Sequence, residues 1–140
     1  LGIGIREGEP IATPEDLSGR TVGAIATSFG ESWINERKDQ LGVAEVRSYD
    51  SVSNMLTDLA AGRVDAVVND VVGLRYAFTQ MSGLAVGGEV DTGELFAIMM
   101  PKDSPLLGEV NDAITAMKED GTMARLYETW FGVAPAADSV

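Results

Sequence analysis

Short apolar runs alternate with amphipathic helical segments along the first half of the chain. Residues 21–26 form a small, mostly apolar run that is typical of a strand buried on both faces, residues 43–49 alternate as a strand does, and residues 64–68 are a third predicted strand. Helices are expected between them at 31–41 and 52–61. In the second of these, Val52, Met55, Leu56 and Leu59 have the spacing of one buried helical stripe. A strand followed by a helix and another strand gives parallel pairing through a crossover connection. The alternation therefore predicts an α/β fold with a mostly parallel sheet and helices on both faces.

The pattern also predicts elements outside this alternating region. A short strand is expected at 1–5, and Thr13 followed by Pro14 is typical of a helix start. A helix is expected at 71–81, a short strand at 84–86, and a longer apolar strand at 94–100 that Pro101 ends. Two C-terminal helices are expected between Pro105 and Gly132, and the tail at 133–140 is predicted to be flexible.

Charge and composition exclude several classes of function. The net charge of −12 leaves no basic patch that could neutralise phosphates, so a nucleic-acid partner is not expected. The chain has no cysteine and no histidine, which excludes disulfides, the usual zinc sites and histidine base catalysis. No metal site and no cofactor are therefore predicted. The chain begins with Leu1 inside an apolar run, from which we expect that it continues a longer protein.

The loop formed by Thr27, Ser28, Phe29 and Gly30 is the first candidate site. It follows a predicted strand and precedes a helix, and ligands of open α/β sheets bind outside the carboxyl ends of strands. Backbone N–H groups at a helix start, together with two hydroxyls, can receive a carboxylate. The competing interpretation is that Ser28 only caps the helix.

Asn69 and Asp70 form the second candidate site, at the end of the predicted strand 64–68. A carboxylate in a cleft at a strand end can hold an ammonium group, whereas the competing interpretation is again a helix cap. Taken together, the two loops could bind the opposite charges of a zwitterion.

Three stretches then resemble a known family. They are residues 15–23 with the loop at Thr27, residues 48–50 and 59–70, and the C-terminal set Asp120, Gly121, Thr122, Tyr127, Trp130, Phe131 and Gly132. In this order and spacing the chain resembles the family 3 extracellular solute-binding proteins, the polar amino acid receptors of ABC importers. The resemblance extends from Leu1 to about Gly132.

The resemblance implies a domain organisation of the periplasmic binding protein type II kind. Residues 1–7 would be a crossover strand and a remnant of a first lobe, and residues 8–93 would form the second ligand-binding lobe. Residues 94–132 would hold a crossover strand and the helices that return to the first lobe, followed by the tail at 133–140.

The family's binding residues map onto the two candidate loops. Asp70 matches the carboxylate that binds the ligand's α-ammonium group, and Ser28 matches the hydroxyl that helps to hold the α-carboxylate. Thr27 stands where many members have Gly, and Phe29 where several have Thr or Ser. The arginine that the first lobe supplies in this family would precede Leu1.

The function implied is that of the substrate-binding component of an ABC importer, with an amino acid-like ligand, a membrane permease as partner, and a periplasmic or membrane-tethered extracellular location. A membrane receptor's sensor domain is an alternative on the same fold. A dehydratase is a weaker alternative, because the chain lacks histidine and a convincing acidic pair for acid–base chemistry. Because the first lobe is incomplete, self-association through the C-terminal helices is also expected.

Overall fold

The chain divides into two compact units, Leu1–Thr92 and Gly93–Val140, in a computed structural model that describes residues 1–136. The first unit contains a five-stranded sheet with helices. Its elements are β1 (Gly2–Arg6), a short 3-10 helix (Pro14–Leu17), β2 (Thr21–Ile25), α1 (Phe29–Leu41), β3 (Glu45–Tyr49), α2 (Val52–Ala60), β4 (Ala66–Asn69), α3 (Val71–Gln80) and β5 (Leu84–Glu89). The second unit contains α4 (Leu107–Glu119) and α5 (Thr122–Phe131).

The strand order across the sheet is β3-β2-β4-β1-β5. β2 runs parallel to both β3 and β4, whereas β1 lies antiparallel between β4 and β5. Four strands thus run in one direction and β1 runs in the other. The predicted mostly parallel α/β sheet is confirmed, and the antiparallel position of β1 between β4 and β5 is a feature that the sequence pattern did not indicate.

Helices cover both faces of this sheet, as predicted. On one face, α1 buries Trp33 and Ile34 in a cluster that includes Ile3, Val22 and Val68. On the other face, α2 and α3 contribute a second cluster whose fully or almost fully buried members are Met55, Leu56, Leu59, Val64, Val67 and Leu74. Of the predicted α2 stripe, Met55, Leu56 and Leu59 are buried against the sheet, whereas Val52 at the start of the helix is 38% exposed. The apolar stripe therefore selects the packed face of α2 except at its first residue.

Local signals fix where the helices begin and end. Ser28 and Ser51 are the N-cap residues of α1 and α2, and each side chain accepts a hydrogen bond from the backbone N–H three residues later. α1 begins at Phe29, two residues earlier than the predicted Glu31. Gly42 ends α1 in the left-handed conformation, at a φ of 69°.

Arg6 connects β1 to the turn after α2. Its Nη1 donates to the carbonyl oxygens of Leu59 (3.0 Å) and Val64 (2.9 Å), and its Nη2 contacts Glu9 Oε1 at 3.0 Å. The guanidinium group is thus bound to residues of the first unit itself, and Arg6 is a structural residue of that unit.

In the second unit, α4 and α5 are separated by Gly121, which has a φ of 75°. The Tyr127 and Phe131 rings pack edge to face with centroids 4.6 Å apart. Within the described part of this unit, neither helix has a fully buried residue.

The strand predicted at 94–100 is not formed in this structure, and this expectation is corrected. Residues 94–100 have no regular secondary structure, and Leu95, Phe96 and Met99 are exposed. An apolar run becomes a strand only where a neighbouring strand accepts its backbone hydrogen bonds. In the predicted flexible tail, residues 133–136 contain no helix or strand, and residues 137–140 lie outside the described residues.

Over residues 1–136, every helix falls short of the length and apolarity that a membrane-spanning segment requires.

Candidate ligand-binding site

The carboxyl ends of β2, β3 and β4 meet at one edge of the sheet. Ala24 on β2 lies beside Val68 on β4 and beside Ser48 on β3. Since β1 is antiparallel, its first residue, Gly2, pairs with Asn69 and also reaches this edge. Both predicted loops, at Thr27 and at Asn69, therefore leave the sheet side by side.

Thr27 has a φ of 61°, the left-handed conformation that a β-branched residue rarely adopts. Three hydrogen bonds donated by backbone N–H groups hold the turn around it, two to backbone oxygens and one to a side chain. The N–H of Ala26 donates to Tyr49 O (2.9 Å), the N–H of Ser28 donates to Ile25 O (3.1 Å), and the N–H of Thr27 donates to Glu31 Oε2 (2.7 Å). Thr27 thus takes the backbone conformation that glycine favours.

Ser28 caps α1, because its Oγ accepts a hydrogen bond of 3.1 Å from the Glu31 N–H. The capping interpretation is therefore correct, but it does not exclude the binding role. A serine hydroxyl is one donor as well as an acceptor, so the capping bond leaves its O–H free to donate. Ser28 is half-buried, at the start of a helix whose dipole favours an anion.

Glu31, in the first turn of α1, is a polar residue beside this loop that the site prediction missed. One carboxylate oxygen accepts from the Thr27 N–H, and the other accepts a hydrogen bond from the Ser48 hydroxyl on β3. The Ser48 hydroxyl and then the Thr27 N–H hold the pKa of Glu31 below its usual value. The spacing from Ser28 to Glu31, a serine followed three residues later by glutamate, is the capping-box signal that could have identified it.

Phe29 and Gly30 form the first turn of α1. The Phe29 side chain is 46% exposed, so it is not a core residue of this unit. Gly30 is buried, and a Cβ added to it would lie 3.0 Å from the carbonyl oxygen of Val68. The first turn of α1 therefore rests directly on the last residues of β4. The N–H groups of such a first turn have no acceptor within their own helix.

Asp70 is the N-cap residue of α3, but its side chain makes no capping hydrogen bond. The residue is exposed, and no hydrogen bond or ion pair of its carboxylate occurs among residues 1–136. The capping interpretation of Asp70 is therefore not supported by its geometry. Asn69 is half-buried at the end of β4, with its side-chain nitrogen 3.7 Å from the point where a Cβ on Gly73 would lie.

Further groups complete this edge of the sheet. Arg75 on α3 forms an ion pair with Glu89 at the end of β5, with 18% of the arginine side chain exposed. The Leu1 nitrogen donates to Val90 O at 2.9 Å, and the Val90 N–H donates to Leu1 O at 2.9 Å. The first residues of the unit and the residues after β5 are therefore hydrogen-bonded to each other at the candidate site's edge.

Comparison with known protein families gives a match over most of the chain. The family model described as bacterial extracellular solute-binding proteins, family 3, matches residues 29–133. The L-cystine-binding protein TcyJ of Escherichia coli strain K12 is 37% identical over 124 residues, which are 87% of this chain and 46% of that protein. The chain thus spans about half the length of the curated relatives it matches.

Two known structures extend the comparison to the fold. An ancestral arginine-binding protein bound to arginine is 36% identical with a TM-score of 0.67, covering 93% of this chain and 59% of that one. Domain 2 from TmArgBP is 26% identical with a TM-score of 0.56, covering 64% of this chain and 95% of that one. By sequence and by fold, this chain belongs to the bacterial extracellular solute-binding proteins, family 3.

Proposed function

We propose that this chain supplies one lobe of a two-lobed receptor that binds an amino acid or a related small polar solute. The relatives named above bind L-cystine and arginine. Asp70 would bind the ligand's α-ammonium group, and Ser28 would donate its hydroxyl to the α-carboxylate. Thr27, Phe29 and Asn69 would line the same site.

One observation carries this proposal: the Asp70 carboxylate lies at the sheet edge without a capping bond, next to a loop with a free hydroxyl donor. A carboxylate that stabilises its own helix would be expected to bond to the first-turn N–H groups. Asp70 does not, although it occupies the N-cap position. The Ser28 hydroxyl and the Asp70 carboxylate thus present a donor and an anion at one edge, which complements a zwitterion.

The proposed mechanism is capture by closure of two lobes around the ligand. A ligand that contacts both lobes favours the closed form by the difference between its affinities for the closed and open forms. Closure removes water from Asp70, and the ligand's ammonium group compensates for that desolvation. The arginine that completes the carboxylate site in this family would come from the first lobe.

The proposed domain organisation follows from this mechanism. Residues 8–93 would form the second lobe, with residues 1–7 and 94–132 as the connections and helices that belong with the first lobe, and 133–140 as the tail. The exposed apolar run at 94–100 would form its strand only when a first-lobe strand pairs with it.

The partner would be the membrane permease of an ABC importer, and the location the periplasm or the outer face of a membrane. The family is one of extracellular solute-binding proteins, which supports this assignment.

Isothermal titration calorimetry on the complete receptor tests the proposal, with L-cystine and L-arginine as the first ligands. Asp70→Ala should weaken affinity by about 2 kcal/mol, because it leaves a buried ammonium group without its partner. Asp39→Asn, on the exposed side of α1, is the matched charge control and should bind like the wild type. Equal affinity in Asp70→Ala and wild type would remove Asp70 from the site.

A further inference from the structure

We infer that Glu31 is a positioning residue of the proposed carboxylate subsite, which fixes the Thr27–Ser28 turn against the end of β3. The expected effect of Glu31 on ligand affinity rests on the proposed function. Its effect on the geometry of the turn concerns the ligand-free chain. In this inference Glu31 does not contact the ligand.

The contacts of Glu31 join three elements. Its Oε2 accepts the Thr27 N–H at 2.7 Å in the turn after β2, and its Oε1 accepts the hydroxyl of Ser48 on β3. Its own N–H donates to Ser28 Oγ at 3.1 Å. Glu31 therefore contacts two adjacent residues of the turn, Thr27 and Ser28, and also Ser48 on the neighbouring strand. A residue that served only as a helix cap would contact only its own turn.

The turn requires such a restraint because Thr27 is in the left-handed conformation. That conformation is unfavourable for residues with a Cβ, and most of all for β-branched ones, so it persists only where surrounding interactions determine it. The hydrogen bond from the Thr27 N–H to Glu31 is one of the interactions present in this conformation. If it is lost, the Ser28 hydroxyl and the first-turn N–H groups lose their fixed direction toward the ligand carboxylate.

Glu31 is negatively charged and lies beside a site that is proposed to receive an anion. Its charge therefore disfavours binding of the ligand carboxylate, whereas its hydrogen bonds favour binding because they hold the turn. Glutamine separates these two effects. Its carbonyl oxygen can accept from the Thr27 N–H, and its amide group can donate to the Ser48 oxygen, without the charge. Alanine removes both bonds and the charge together.

The test compares Glu31→Ala and Glu31→Gln in the complete receptor by calorimetry, with L-arginine and L-cystine as probes. Glu31→Ala should weaken affinity about tenfold, the equivalent of one lost charge-assisted hydrogen bond. Glu31→Gln should restore affinity to the wild-type value or better. Glu36→Ala, another glutamate of α1 that is 72% exposed, is the control for charge and helix content and should leave affinity unchanged.

A second measurement is independent of ligand. In ¹H–¹⁵N spectra of the ligand-free protein, the Thr27 amide should shift strongly in Glu31→Ala and only slightly in Glu36→Ala. If the Thr27 amide does not move, or if Glu31→Ala lowers the melting temperature without weakening binding, the inference is overturned. If the wild type binds neither probe while the Thr27 amide shifts as expected, L-arginine and L-cystine are not ligands of the receptor and the positioning role of Glu31 in the turn stands.

Discussion

Gly30 lies so close to Val68 that a Cβ added to it would be 3.0 Å from the Val68 carbonyl oxygen. This contact sets the distance between the start of α1 and the end of β4, which carry the two halves of the candidate site. Adding a methyl group there would push the Ser28 loop away from the strand that leads to Asp70.

Gly30→Ala should therefore destabilise the first unit by roughly 1 kcal/mol, because its backbone neighbour cannot move aside without distorting β4. Chemical denaturation measures the change. Gly73→Ala, on α3, is the matched control, since its added Cβ would meet nothing closer than 3.7 Å. That variant should be stabilised by about 0.5–1 kcal/mol, as expected for alanine replacing glycine in a helix. A stabilised Gly30→Ala would show that the contact is not tight.

Arg6→Ala should lower the unfolding free energy by about 2 kcal/mol, because it leaves two backbone carbonyls without their charged donor. Arg6→Lys should recover only part of this loss, since an ammonium group lacks the guanidinium's fixed fork. Denaturant unfolding measures both. Arg37→Ala, whose side chain is 41% exposed beside Glu36, should cost much less. Equal losses at Arg6 and Arg37 would contradict the bridging role.

Phe29 and Trp33 stand one turn apart on α1 but should respond differently to truncation. Trp33 is 7% exposed and belongs to the core, so Trp33→Ala should cost about 3–5 kcal/mol. Phe29 is 46% exposed, so Phe29→Ala should change stability by no more than about 0.5 kcal/mol. In the complete receptor, Phe29→Ala should change the relative affinity for different amino acids. A change in stability without any change in ligand preference would assign Phe29 a packing role only.

Acid should destabilise the first unit partly through Asp58. Hydrogen bonds from Arg63, at 2.7 Å, and from the Tyr49 hydroxyl, at 2.8 Å, hold the pKa of Asp58 below its usual value. The ordinary pKa of an aspartate is 3.8, and the pKa of Asp58 in the folded protein is lower. The stability that this difference provides is fully present at pH values above 3.8 and is lost as the pH falls through the pKa of the folded protein. Urea unfolding over a pH series should show a shallower acid loss in Asp58→Asn. Tyr49→Phe should remove part of the same effect, and parallel curves for all three proteins would contradict it.

The second unit should self-associate when it is produced without a first lobe. Several apolar side chains are exposed there: Leu95, Phe96, Ile98, Met99, Leu106, Leu107, Leu126 and Trp130. Apolar patches of this kind associate in water. Light scattering across a concentration series of the 140-residue chain should show oligomers, and Leu95→Asp with Phe96→Asp should reduce them. A monomer at all concentrations would refute this.

Sequence patterns predicted much of the fold because they depend on local periodicity. The stripe of Met55, Leu56 and Leu59 identified α2 and its buried face, and the apolar runs identified β2 and β4. The direction of β1 could not be predicted, since strand direction depends on partners that lie far along the chain. The run at 94–100 was wrongly assigned to a strand for the same reason, because apolar alternation does not supply a partner.

The candidate site was only partly accessible from sequence. The strand-end rule located the Ser28 and Asp70 loops, since it needs only the order of elements. The bond between Glu31 and Ser48 was missed because it depends on the register that places Ser48 beside Ala24. Spacing within one segment indicates a cap, whereas a contact between two segments requires the assembled sheet.

The position of β1 between β4 and β5 has a kinetic consequence. β1 is the first strand along the chain, yet the strands that it pairs with, β4 and β5, begin at Ala66 and Leu84. During synthesis, Ile3 and Ile5 wait for a strand partner until β4 has left the ribosome, and the second edge of β1 is paired only when β5 follows. Contacts between such distant residues slow folding, so we expect the first unit to fold late and all at once. Its nascent N-terminal strand would be the segment most in need of a chaperone.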